Sequence, residues 1–282
     1  MNLDVLVEQF NEALASGRVA LPVLPDLAFE IHDLMAEQDY DPALVSQALS
    51  RETGVAAQLV KAANSVLNRG RVPIVTLDMA IMRLGRDRTH ALANAHLLKQ
   101  LFHGSATGQR LLHNVWERTQ KTAGRAVFLA DQTQDIEPAE CLLLVLLQNL
   151  GALPLVAWIE GHEQRDELGT QIRFDALEAI AGPSAAAILL SQWQFQSEQI
   201  SDVAQRDHWQ RASAGALNAA DVAQLAHWSV LEDGLRPGPA LHSIAAYLKW
   251  QDAQLPTEPS IGAMGDPANE SLIAELTGLL SG

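Results

Sequence analysis

Apolar residues recur at three- and four-residue steps through most of the chain, and no convincing period-two alternation marks a strand. Leu27, Ile31, Leu34 and Met35 line one helix face after the rigid entry Leu21-Pro22-Val23-Leu24-Pro25. Asp41-Pro42 predicts the next helix start: Asp is the N-cap, and Pro takes the first helical position, where its missing N–H costs nothing. Leu44, Val45, Ala48 and Leu49 give that helix its apolar side. Thr53 is expected to cap a third helix with the stripe Ala56, Leu59, Val60, Ala63 and Leu67, ended by Asn68-Arg69-Gly70. Thr76 caps a fourth that carries Leu77, Ala80, Ile81 and Leu84 and stops at Gly85.

A helix from about Asp87 to Leu101 then meets the stretch His103 to Gly108, a natural subdomain boundary. Leu112, Val115, Trp116, Thr119, Ala123, Ala126, Val127 and Ala130 predict one long helix from about Gln109 to Asp131. Pro138 heads a very apolar helix ending at Gly151, and Pro154, Gly182-Pro183 and Ser197 each open another. Residues 211–230 and 239–251 complete the pattern. Leu255 to Glu270 holds Pro256, Pro259, Gly262, Gly265 and Pro267 and is expected to be a linker, followed by a short helix from Ser271 to Leu280. The expected fold is all-α: an N-terminal helical subdomain over 1–105, a second over 106–210, and a C-terminal extension over 211–282.

The 282 residues are 48% hydrophobic, yet no uninterrupted apolar run approaches a membrane helix, which needs about 20 residues. The best candidate, Cys141 to Leu147, reads as a buried core helix, with Cys141 a small core residue rather than a reactive thiol. Met1 to Ala15 carries Asp4, Glu8 and Glu12 and lacks the basic flank of a secretory signal. Together with a single cysteine, this leads us to expect a cytoplasmic protein with no membrane association. The net charge of −15 weighs against generic nucleic-acid binding. Charge is unevenly spread, however: residues 51–125 hold 12 of the 19 Lys and Arg but 4 of the 34 Asp and Glu. Such a basic middle faces a nucleotide, an acidic partner, or the chain's own acidic surface.

Three motifs in order carry a family resemblance: Leu21-Pro22-x-Leu24-Pro25, Ala63-Asn64-Ser65, and Thr76-x-Asp78-x-Ala80-Ile81-x-x-Leu84-Gly85. Together they resemble the amino-terminal half of the HDOD family, a bacterial signalling branch of the HD hydrolase superfamily, over about residues 17 to 210. The resemblance implies a helical bundle packed on a degenerate HD-like subdomain. In catalytic relatives a histidine, a His–Asp pair and a later aspartate bind divalent metal for phosphate-ester hydrolysis. The pair falls just before Leu-Gly, where this chain reads Gln148-Asn149-Leu150-Gly151, and alignment of the long helix puts Arg118 at the first histidine. Neutral amides supply only weak carbonyl donors, and a guanidinium cannot ligate metal at all. His113 lies five residues before Arg118, about 140° away around the helix. No acidic residue in 180–210 can be assigned as the last ligand.

No His-Glu-x-x-His, Cys pair, phosphate loop or Gly-x-Ser-x-Gly elbow occurs. We therefore expect no catalytic residues, no metal and no cofactor at the vestigial HD positions Arg118, Gln148 and Asn149: Gln148 and Asn149 serve either as helix-end polar groups satisfying nearby backbone or, with Arg118, as a vestigial pocket that binds an anion or nucleotide without cleaving it. Asn64, Arg69, Arg71, Arg86 and Arg88 are the candidates for receiving an anion or an acidic partner. For Asn64 a helix-capping role competes with a ligand contact, and the arginines also suit solvated helix ends. The implied role is a non-catalytic regulatory module that binds protein partners of a signalling pathway. The alternatives are a phosphohydrolase with substituted ligands and a nucleotide or cyclic-dinucleotide sensor using the vestigial pocket.

Overall fold

The structure is a computed structural model that describes residues 2–36, 40–65, 68, 70, 72–102, 106–133, 135–210, 215–231, 244–253 and 267–280. Among the described residues every regular element is helical. The first group comprises α1 (Leu3–Ala15), α2 (Asp26–Ala36), α3 (Pro42–Leu49), α4 (Thr53–Ala63) and α5 (Leu77–Lys99). The second comprises α6 (Ala106–Asp131), α7 (Pro138–Gln148), α8 (Ala152–Glu160), α9 (Arg165–Leu168), α10 (Gln171–Gln192) and α11 (Ser197–Ala204). Then come α12 (Ala219–Val230), α13 (Ala245–Asp252) and α14 (Pro267–Leu280).

Helix starts follow the capping chemistry read from the sequence at two places. The Ala43 N–H donates to Asp41 Oδ1 at 2.8 Å, and the Met79 N–H donates to Thr76 Oγ1 at 3.3 Å. At α4 the cap differs from expectation: Glu52 holds the N-cap position with no side-chain bond, and Thr53 is already helical. That helix also ends earlier, at Asn64. Its amide makes a better stop than the Asn68 turn, because Asn64 Nδ2 donates to Val60 O (2.9 Å) and to Ile74 O (2.7 Å). Asn64 Oδ1 in turn accepts the Ile74 N–H at 2.8 Å, so one side chain pins the returning loop to the helix end. On α3, Val45, Ala48 and Leu49 are buried while Leu44 turns outward.

Gly85 interrupts α5 with φ 75° and ψ 178°, so the helix continues beyond it in a new direction. The opposite holds at Gly182-Pro183, which was expected to open a helix. α10 runs unbroken through Pro183 from Gln171 to Gln192. Gly182 serves contact instead: a Cβ on Gly151 would lie 1.9 Å from the Gly182 carbonyl oxygen, so the α7–α8 turn packs directly on the α10 backbone.

α1 belongs with the second group, packing on α8 and α10, and Phe10 sets its ring edge-on to Trp158 at 5.6 Å. α2 to α5 form the N-terminal bundle, joined to the rest where α5 meets α7. α12 covers α6 and α7, and α14 lies across α6, α4 and α5. One continuous apolar core runs through all of these elements. Pro138–Glu160 and Gln171–Gln192 are long and apolar enough to cross a membrane by length and composition, but 89% and 56% of their most apolar windows lie inside this fold. Cys141 is a buried free thiol whose pKa burial pushes far up, as its core position requires.

Candidate functional site

The middle of α6, the end of α7 and the segment after α11 converge on α10, and there the three positions named from the sequence meet. Arg118 projects from α6, Gln148 ends α7 and Asn149 caps it. All three are buried. Between them stands Glu178 of α10, fully buried, with a guanidinium on each carboxylate oxygen. Arg118 Nη2 donates to Glu178 Oε2 at 3.2 Å, and its Nη1 donates to Asp175 Oδ1 at 3.1 Å. Arg206, also fully buried, donates from Nη1 to Glu178 Oε1 at 2.7 Å.

Arg206 fills the middle of the constellation. Its Nη1 also reaches Gln148 O at 3.1 Å and Asn149 Oδ1 at 3.4 Å. Its other edge grips Asp207, with Nη2 at 2.6 Å and Nε at 3.0 Å from Oδ2. Asp207 Oδ1 lies 3.1 Å from His227 Nε2, and the His227 ring stacks on Trp209 at 5.9 Å with planes 3° apart. Gln224 Nε2 donates to the carbonyls of Arg206 (3.0 Å) and His208 (3.3 Å), holding that strand of chain in place.

Electrostatics hold Arg206 and Asp207 in their charged forms. Burial opposes the charge on Arg206, but Asp207 and Glu178 outweigh it and raise the guanidinium pKa further. Burial likewise opposes the Asp207 anion, and Arg206 and His227 reverse this, holding its carboxyl well below the usual range. The amides have lesser roles. Asn149 Nδ2 bonds Val145 O at 3.0 Å, closing the helix end, while Gln148 Oε1 is buried without a partner.

This donor set does not fit a metal ion. Two cationic guanidiniums occupy the centre, the two amides are neutral, and the carboxylates are engaged by arginine. Among the described residues no group of three His, Cys, Asp or Glu side chains is placed to hold a metal. His113 is exposed beside Glu117, off the inner face of α6.

The candidates in the basic segment scatter. Asn64 spends its amide on the backbone bonds already described. Arg86 lies over the Tyr40 ring at 5.4 Å, and Arg88 donates to Asn68 Oδ1 at 2.7 Å with Glu137 at 3.6 Å. Arg69 and Arg71 fall outside the described residues.

Glu178, Arg206, Asp207 and His227 escaped sequence reasoning. Glu178 left one readable signal: it shares an apolar stripe with Phe174, Leu177 and Ala181 at helical spacing, and a carboxylate there needs a buried cation.

The described residues form an all-α bundle in which Arg118 and Arg206 meet Asp175, Glu178 and Asp207 at its centre. The match to the HDOD domain family spans residues 21–209, and the chain belongs to that family. Solved structures agree on the fold. A candidate metal-dependent phosphohydrolase from Shewanella amazonensis SB2B is similar at TM-score 0.80 and 19% identity, covering 99% of each chain. An HDOD domain protein of unknown function from Geobacter sulfurreducens follows at TM-score 0.68 and 16% identity, covering 99% of this chain and 98% of that one. A candidate signal transduction protein from Marinobacter aquaeolei VT8 is similar at TM-score 0.65 and 18% identity, covering 93% of this chain and 60% of its own. No curated protein matches the sequence significantly.

Proposed function

We propose that this chain is a non-catalytic, cytoplasmic regulatory module that works by binding other proteins of a signalling pathway. The observation that carries the reading is Arg206. Its guanidinium, bound to Glu178, Gln148 O and Asn149, stands among the positions where the family resemblance expects metal ligands. A hydrolase of this superfamily must polarise a phosphate and activate a water with its metal. Buried, paired guanidiniums do neither. The same pairing weighs against an anion sensor at this place, because a nucleotide phosphate would have to displace Asp175 and Glu178 from Arg118. The signalling role draws support from family membership and from the similarity to the Marinobacter protein.

Metal analysis of the purified protein for Mn, Fe, Ni, Zn and Mg, run beside phosphodiesterase and phosphomonoesterase assays, tests the reading. The expected result is substoichiometric metal and no turnover above buffer. Stoichiometric metal together with turnover would sink it.

A further inference from the structure

The last helix of the chain is seated end-on in a receptor made by other elements. α14 crosses α6 at Gly124, where a Cβ would lie 2.8 Å from Thr277 Oγ1 and 3.1 Å from Ile273 O. Its final turn is then captured through backbone carbonyls. Gln58 Nε2 of α4 donates to Leu279 O at 2.7 Å, and Lys61 Nζ donates to Gly278 O at 3.1 Å. Gln58 is itself oriented by His96 of α5, whose Nδ1 lies 2.7 Å from Gln58 Oε1. These donors satisfy carbonyls that any helix leaves open at its C-terminus, and the lysine complements the negative end of the helix dipole. Recognition of this kind reads a helix end, not the particular sequence of α14.

Two further observations say what else fits. The α14 sequence carries Glu270 and Glu275 with no Lys or Arg, and it sits against α4, α5 and α6, which lie largely within the basic stretch 51–125. In addition, a cavity of about 120 Å³ adjoins Leu279, walled by Leu92, Val127, Phe128 and Leu142, with Arg88 and Asp131 also lining it. Among the described residues, Leu279 is the α14 side chain that reaches this cavity, and apolar wall beside it stays open.

We propose that the groove between α4, α5 and α6 is a docking site for the C-terminal end of an acidic amphipathic helix from a partner protein. α14 holds it in cis, and the partner helix displaces it by placing a larger apolar side chain where Leu279 sits. The proposal rests on the protein-binding reading above and names its surface. A tethered helix competes at an effective concentration in the millimolar range, so an untethered one needs extra burial to win. Filling the cavity supplies it, at about fourfold in affinity per buried methylene.

The test uses the full chain and two labelled peptides spanning residues 267–282, one native and one carrying Leu279→Phe, titrated by fluorescence anisotropy. The Leu279→Phe peptide is expected to bind at least about tenfold tighter than the native one, and Leu279→Phe placed in the chain's own α14 should weaken binding of that peptide by a similar factor. Equal binding of both peptides, or binding indifferent to Leu279→Phe in the chain, would overturn the proposal. Should the variant chain fold poorly, hydrogen exchange on the unaltered chain decides. Saturating Leu279→Phe peptide must speed exchange across 267–280 while leaving α7 unchanged; no acceleration refutes displacement. Failure here, beside a metal-free protein without turnover, removes the groove and leaves the non-catalytic reading standing.

Discussion

Glu178 accepts Arg118 on one carboxylate oxygen and Arg206 on the other, and no part of it reaches solvent. Two cations taken from water are tolerable only because this carboxylate, with Asp175 and Asp207, stands against them. Glu178→Gln preserves the shape and removes the charge, so it should destabilise the fold by about 3–5 kcal/mol, read from urea unfolding. A loss within a few tenths of a kcal/mol would mean the guanidiniums are satisfied elsewhere. The sequence named three of the residues that meet here. Arg118, Gln148 and Asn149 were legible because a ligand pattern predicts where to look for substitutions. Arg206 and His227 were not, since no local spacing links residues brought together from behind α11 and within α12.

At the scale of elements, two glycines and a proline separate what local rules can and cannot foresee. Gly85 breaks α5 at a positive φ, as its place after the apolar stripe suggested. Pro183 does not break α10, although proline is a strong helix breaker in isolation. Packing of α10 against α1, α8 and α11 outweighs that local cost, a contribution absent from any window of sequence. The neighbouring contact is unforgiving. Gly151→Ala puts a methyl group 1.9 Å from the Gly182 oxygen, backbone against backbone, so α7 and α10 must separate. The expected loss is at or beyond the upper end of about 1–3 kcal/mol, seen as a lowered Tm. An unchanged Tm would show that the α7–α8 turn can shift freely.

Across the whole molecule, the halves meet at a seam that carries histidines. His32 of α2 lies 6.0 Å from His90 of α5 and 4.8 Å from Phe195, which follows α10. Burial, with His32 and Arg86 nearby, lowers His90 to a pKa of about 4, and burial also lowers His32, partly offset by Asp33. A folded pKa below the unfolded value means the unfolded chain takes up protons first. Stability should therefore fall as pH drops from about 6.5 toward 4, with His90 contributing up to about 3 kcal/mol of that loss. His90→Leu should flatten this limb in urea midpoints taken between pH 7.5 and 4.5; an unaltered slope would place the sensitivity elsewhere. The all-α class and most helix positions were readable from periodicity and caps. The placement of α1 on α8 and α10 was not, because amphipathicity names a buried face without naming what covers it.

Arg206 gives the molecule one more property. A metal centre is an equilibrium between ion and protein, open to exchange, dilution and removal by chelators. A cation carried on a side chain is covalently part of the protein and has no dissociation constant. The positive charge that Arg206 places against Glu178 and Asp207 is thus set at synthesis.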